Sequence, residues 1–369
     1  MAVTVTVTDP RPSPLARYLL LAYVLLVIYA SLHPFSGWRD QGVSPFAYLG
    51  GHLPRYITAF DLVTNLIAYM PLGFFALLAL YPLARGAPAF IAAGLGGCAL
   101  SLALEALQTY LPSRISSNLD LATNSLGSFA GAGLALRFGV GLLGRGRMHE
   151  LRHRWVLDGH EYDLGLVLLG LWLFTQLNPG TLLFGNGDLR GLFEDVPAVL
   201  HPVEVFIQME AAVTACNMVA IGLFLSCLTQ DERPLRGLLL ALLAGALALK
   251  TVAVGELLKA QTVFTWLTPG ALLGLVAGAL ALALALALPR AARMALAGLL
   301  LMAATVLVNL APENPYFADA LQQWPQGYFL NFNGVTHLVS LAWPFAALFY
   351  LMLLAPRLGK EDPVSPDEL

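Results

Sequence analysis

The strongest constraint on this chain is the recurrence of apolar stretches long enough to cross about 30 Å of hydrocarbon. Ten of them can be marked, at about residues 16–33, 60–81, 88–111, 119–143, 163–185, 203–228, 235–257, 267–288, 291–311 and 331–355. Composition agrees: 58% of the 369 residues are hydrophobic, 12% are charged and the mean hydropathy is +0.71, well outside soluble-domain usage. Backbone N–H and C=O groups cannot stay unpaired in lipid, and the runs are too long and too uniformly apolar for barrel strands. The expected fold is all-α, a polytopic membrane bundle of about ten transmembrane helices.

Charge placement predicts the orientation, because cytoplasmic loops retain Lys and Arg. With the N-terminus inside, the inner side collects 14 of the 20 basic residues, among them Arg85, Arg145, Arg147, Arg152, Arg154, Arg290 and Arg293. The other side keeps Arg39, Arg55, Arg114, Arg190 and Lys259, with Lys250 inside a helix. Both termini are therefore expected in the cytoplasm. A net charge of −3 without a basic or acidic tail points to no nucleic-acid partner. Cys98, Cys216 and Cys227 lack paired or metal-ligand spacing and read as small core residues. The first run ends at SLHPFSGW without a small-residue cleavage site, which favours a retained helix over a signal peptide.

The chain also repeats itself. SLHP (31–34), QLNP (176–179) and NLAP (309–312) each close a first helix, and FDLVTNL (60–66) is echoed by FNGVTHL (332–338). Asn217 is read opposite Asn65, Glu256 opposite Glu105, and LGLVAG (273–278) opposite LGSFAG (126–131). This gives repeated four-helix units in a 4+4+2 plan. The expected divisions are a disordered leader (1–15), a four-helix unit (16–145), a basic cytoplasmic linker (146–162), a degenerate second unit (163–289), a two-helix partial repeat (290–356) and a cytoplasmic tail (357–369). An even number of helices per unit keeps the repeats in one orientation, unlike inverted-repeat transporters.

Polar residues concentrate in the first unit. Asp61 and Asn65 are four apart on helix two, Asp120 and Asn124 repeat that spacing on helix four, and Glu105 and Gln108 share a face of helix three. With Arg114 on the short connection between helices three and four, they are expected to converge near the outer surface. In this reading Asp61, Glu105 and Asp120 are candidate catalytic acids or bases, and Asn65, Gln108, Arg114 and Asn124 are candidate ligand-binding groups. No metal and no cofactor is expected, because His201, Glu204 and His337 lack ligand clustering.

D-x-x-x-N ahead of Y-M-P-L-G-F, then E-x-x-Q with a loop Arg, then D-x-x-x-N-x-x-G, resembles the VanZ family over about residues 17–143. The family takes its name from a membrane protein that lowers susceptibility to the glycopeptide teicoplanin. The resemblance implies a bacterial inner-membrane protein with a polar site facing the cell envelope, formed here by Asp61, Asn65, Glu105, Gln108, Arg114, Asp120 and Asn124. The second unit and a half depart from the single four-helix unit common in that family.

Plainer roles compete for the same residues. Asp61 and Asp120 are placed to cap helices two and four. Gly127, Gly131 and Gly133 suit close helix packing, Lys250 with Glu256 suits a locking pair, and Trp38, Tyr48 and Trp324 suit interfacial anchoring. Three functional classes remain. One is binding or modification of an envelope lipid, such as an anionic lipid, a peptidoglycan precursor or a glycopeptide-related ligand. The others are a transporter or flippase and a non-catalytic scaffold. Clustering of the polar set at one surface disfavours conduction.

Overall fold

The computed structural model describes residues 14–51, 59–81, 83–139, 154–157, 159–190, 202–230, 232–257, 263–312, 314 and 326–361. The leader over 1–13, most of the basic linker, Arg55, Lys259, His201 and Trp324, and the side chain of Glu256, lie outside the described residues. The described residues form ten helices and no strand: α1 (Pro14–Leu32), α2 (Ala59–Leu80), α3 (Gly86–Gln108), α4 (Asn118–Leu134), α5 (His160–Thr175), α6 (Val203–Leu228), α7 (Glu232–Leu257), α8 (Pro269–Ala285), α9 (Arg290–Leu310) and α10 (Gln326–Glu361). Seven of these, α1, α2, α3, α6, α7, α9 and α10, have the length and apolar composition of a membrane span.

The other three are shorter than their apolar runs. α5 ends at Thr175 rather than near 185, because Pro179 cannot continue a helix and the chain turns at Gln176–Pro179. Its 16 residues reach only about 24 Å at about 1.5 Å per residue. α4 is 17 residues long and continues through a five-residue π-helical turn, Ala135–Gly139. α8 is a 17-residue apolar helix.

The chain divides into two compact units, Met1–Arg154 and Trp155–Leu369, so α9 and α10 belong with α5–α8. In the first unit α2 and α4 make the closest helix pair, with α3 against α4 and α1 against α2. Glycine allows that approach: a Cβ on Gly131 would stand 1.8 Å from Met70 O, and one on Gly127 2.3 Å from Leu66 O. In the reverse direction, a Cβ on Gly73 would meet Ser128 O at 1.8 Å. The end of the unit holding the N-terminus of α1 is filled by Ala16, Leu77, Leu78, Ala89, Ala93 and Ala132. The opposite end carries Leu32, Tyr69, Leu104 and Leu111.

The second unit repeats this geometry on α6 and α8 and corrects the register of the repeat. Gly127 abuts Leu66 O and Tyr69 Cβ, while Gly274 abuts Ala211 O and Thr214 Cβ. Gly131 abuts Met70, and Gly278 abuts Ala215. The shift along the second helix is thus 211 − 66 = 145, also 214 − 69 and 215 − 70, and SLHP to QLNP has the same shift, 176 − 31. Asn65 therefore corresponds to Glu210, not Asn217. Asn217 instead donates from Nδ2 to Val213 O of its own helix.

The lock expected between Lys250 and Glu256 falls on a side chain outside the described residues, and the contacts described for Lys250 are to other groups. Lys250 is buried, and its Nζ donates to Asn178 O at 2.8 Å and Thr181 O at 2.6 Å, the carbonyls that the turn after α5 leaves without helical partners. Glu210 supplies a nearby negative charge and accepts from the Thr268 hydroxyl, which also caps α8 by accepting from Ala271 N at 3.1 Å.

Gly131→Ala places a methyl on backbone that cannot retreat, so it should lower stability by about 2 kcal/mol or more. Gly133→Ala, whose Cβ meets nothing nearer than Phe90 at 3.7 Å, is the matched control. Melting temperatures of the two purified variants check this; equal values would refute the α2–α4 contact as a determinant of stability.

Candidate functional site

The polar residues of the first unit gather at one end, where α2 and α4 begin and α1 and α3 finish. Ser117 caps α4: its hydroxyl accepts from Leu119 N and Asp120 N. Asp120 is therefore a first-turn residue rather than the cap, and its carboxylate is released for other contacts. Its Oδ1 accepts from Asn65 Nδ2 at 2.9 Å, and the negative charge of Asp61 acts on it from the first turn of α2. Asp61 and Asp120 are both half-buried.

Glu105 lies deeper, only 4% exposed near the end of α3. One carboxylate oxygen, Oε2, accepts from Ser117 N at 2.9 Å, and its backbone carbonyl accepts from the Ser116 hydroxyl at 2.7 Å. This acid thus holds the connection that positions α4. Asn124, one turn beyond Asp120, donates from Nδ2 to Ser101 Oγ at 3.0 Å, and Ser101 also meets the Tyr69 hydroxyl. The Asn124 Oδ1 is buried without a partner, as is the Ser128 hydroxyl one turn further on.

Gln108 and Arg114 turn toward the end of α1, whose last carbonyls need donors. Gln108 Nε2 donates to Ser31 O at 3.0 Å. Arg114 donates from Nη2 to Ala30 O at 3.1 Å and His33 O at 2.8 Å, and from Nε to His33 O at 3.3 Å. The expected pairing of Arg114 with carboxylates is thus only electrostatic, through Glu105. Burial lowers the guanidinium below its ordinary value and Glu105 opposes the shift. Its Nη1 has no hydrogen-bond partner among the described residues. This clamp parallels Lys250 in the second unit, since His33 and Asn178 share a register position and both carbonyls are held by a cation.

The long loop after α1 covers this end. Arg39 N donates to Tyr110 O at 3.0 Å, Gln41 Nε2 to Thr109 O at 2.7 Å, and Asn118 Nδ2 to Gly51 O at 3.0 Å. Tyr48 on the short helical turn Ala47–Gly50 has its phenol raised above the ordinary value by burial and by the charge of Glu105.

All seven residues expected at the site therefore occupy one end of the unit, but they form two layers. Asp61, Asn65, Asp120, Asn124 and Glu105 link α2, α3 and α4, whereas Gln108 and Arg114 fasten α1 to the α3–α4 connection. Ser117, Ser101, Tyr69, Ser128 and His33 were not picked out from the sequence. The spacing of Gly97, Ser101 and Glu105, and of Asp120, Asn124 and Ser128, carries a signal for Ser101 and Ser128, because residues four apart share a helix face. Among the described residues no group of three His, Cys, Asp or Glu side chains has the geometry to hold a metal ion.

His33 generates a pH prediction. Burial, with the positive charge of Arg114 added, lowers the imidazole below its ordinary value of 6.5. The unfolded chain therefore takes up this proton before the folded one does, so the contribution of His33 to stability is fully present above pH 6.5 and is lost as pH falls through the folded value. His33→Asn, the residue found at the equivalent Asn178, should show a smaller fall in melting temperature between pH 7 and 5 than the wild type. Identical pH profiles would exclude the effect.

Residues 12–139 match the family model described as VanZ/LLP1, a span lying wholly within the first unit. No curated protein and no solved structure matches the chain. The spans, the helix pairing and the matched residues lead to one statement: this is a multi-pass membrane protein whose first unit is VanZ-like.

Proposed function

We propose that the first unit binds the polar head group of an envelope lipid or lipid-linked precursor at the outer leaflet of a bacterial inner membrane, and that both termini are cytoplasmic. The observation that carries this reading is the half-buried Asp120, bonded to Asn65 at 2.9 Å and set beside buried Glu105, below an Arg114 whose Nη1 remains uncommitted. Carboxylates and a guanidinium held this way at the end of an apolar bundle favour a ligand with its own polar groups and an apolar tail. Arg114 offers an N–H to a phosphate or a carboxylate. Asp61, Glu105 and Asp120 supply acceptors, and a proton-transfer role if the ligand is modified as well as bound. The VanZ likeness supports an envelope ligand, and glycopeptide resistance belongs to the same proposal.

Transport is the weaker reading. The polar column of Asp120, Asn124 and Ser128 stops at Ala132, where Ala89, Ala93 and Leu77 close the opposite end of the unit. The core there offers a hydrophilic solute only apolar side chains.

Two measurements test the proposal. Native mass spectrometry of the purified chain with undecaprenyl phosphate and phosphatidylglycerol should show retention that falls about tenfold in Arg114→Lys, which keeps the charge and loses the planar fork. Equal retention by wild type and Arg114→Ala would defeat the head-group reading. For orientation, with the three natural cysteines replaced, a membrane-impermeant thiol reagent on intact cells should label a cysteine introduced at exposed Gln41 and not one at Leu83, which is 75% exposed. The reverse pattern would invert the topology.

A further inference from the structure

We infer that the group recognised at the first-unit site is a primary ammonium on a zwitterionic, phosphate-bearing head group. The ammonium lies among Glu105, Asp120 and Asn124, and the phosphate meets Arg114. This rests on the head-group reading above and names the chemistry of that head group.

Among the described residues, three acceptors on α3 and α4 have oxygens that no donor covers. Glu105 takes one N–H at Oε2, from Ser117, and Asp120 takes one at Oδ1, from Asn65. The second oxygen of each carboxylate has no hydrogen-bond partner among the described residues. Asn124, only 6% exposed, turns its amide nitrogen to Ser101 and leaves Oδ1 with no donor at all. A buried acceptor without a donor is unfavourable, which applies here to Asn124 Oδ1, on a helix packed against the one that carries Glu105.

Charge selects the donor. Glu105 and Asp120 act on each other as like charges, and Asp61 adds a further negative charge on Asp120. Arg114 offsets Glu105 from a distance, but its assigned hydrogen bonds go to the carbonyls of Ala30 and His33. A neutral hydroxyl would fill a hydrogen-bonding position and leave the repulsion; an ammonium fills it and removes the repulsion. The second unit shows the balanced counterpart. There one buried acid, Glu210, is matched by one buried ammonium, Lys250, and its Oε2 is covered by the Thr268 hydroxyl.

Among the described residues no group of three His, Cys, Asp or Glu side chains could hold a metal ion. An ammonium carries three N–H donors and no acceptor. The uncommitted Nη1 of Arg114, on the connection above Glu105, then matches an anionic oxygen a few bonds from the amine, as in a phosphoethanolamine group.

Native mass spectrometry of the full-length protein decides it, using phosphatidylethanolamine, its N-acetylated form and phosphatidylglycerol with identical acyl chains. Wild type should retain phosphatidylethanolamine about tenfold over the N-acetylated lipid. Asp120→Asn, which keeps the shape and a polar contact with Asn65, should remove that preference, Asp120→Glu should restore much of it, and Glu210→Gln should leave it unchanged. Displacement of the lipid by free phosphoethanolamine would assign the same chemistry to a soluble source, and resistance to displacement would assign it to the lipid. Equal retention of all three lipids that still depends on Arg114 would overturn the ammonium while leaving head-group binding standing. Absence of any Arg114-dependent retention would overturn both.

Discussion

The close contact of α2 with α4 is the interaction on which the first unit depends. It exists because glycines at 73, 127 and 131 present bare backbone to a facing backbone or side chain, and any Cβ there would stand well inside contact distance. In lipid, helices gain little from hydrophobic burial against one another, so near approach and the dispersion it permits carry much of the association. The same contact brings Asn65 of α2 within 2.9 Å of Asp120 on α4. Packing and site are therefore one structure: the glycines that let the helices meet also set the distance between the polar side chains at their ends.

A second theme is the disposal of unsatisfied carbonyls where the first helix of each unit stops. Both SLHP and QLNP end a helix and leave acceptors that need donors. In the first unit Gln108 and Arg114 supply them from beyond α3; in the second, Lys250 supplies them from within α7. The two solutions differ in what they leave behind. Arg114 comes from the connection and leaves Glu105, Asp120 and Asn124 with acceptor atoms uncovered. Lys250 comes from inside the bundle, matches Glu210 in charge and leaves that unit balanced. The contrast gives the two units different chemistry at equivalent helix ends, although both solve the same need for donors.

Much of this was legible in the sequence. The apolar runs placed all ten helices, and the D-x-x-x-N spacings brought the polar residues to one end, as α2 and α4 show. Three details were not. Pro179 stops α5 well before its apolar run ends, because hydropathy measures preference for lipid and not backbone continuity. Ser117 rather than Asp120 caps α4, a choice between adjacent polar residues that only backbone geometry makes. Arg114 bonds carbonyls of α1 rather than the acids near it, because helix-end acceptors without partners compete for the guanidinium N–H groups.

Helical class, membrane character and the faces carrying the polar groups follow from composition and period, properties each residue holds with respect to its neighbours in the chain. The register between the repeats does not. Asn217 and Glu210 are seven residues apart, about two helical turns, so they share a face of α6 and either could be read opposite Asn65. The two alignments predict different chemistry: one conserves an amide and the other replaces it with a buried acid facing a buried lysine. Only the meeting of Gly274 with Ala211 and Thr214 selects the second. Periodicity specifies the angle of a residue around its helix, whereas its height against a partner is decided by which backbones can touch.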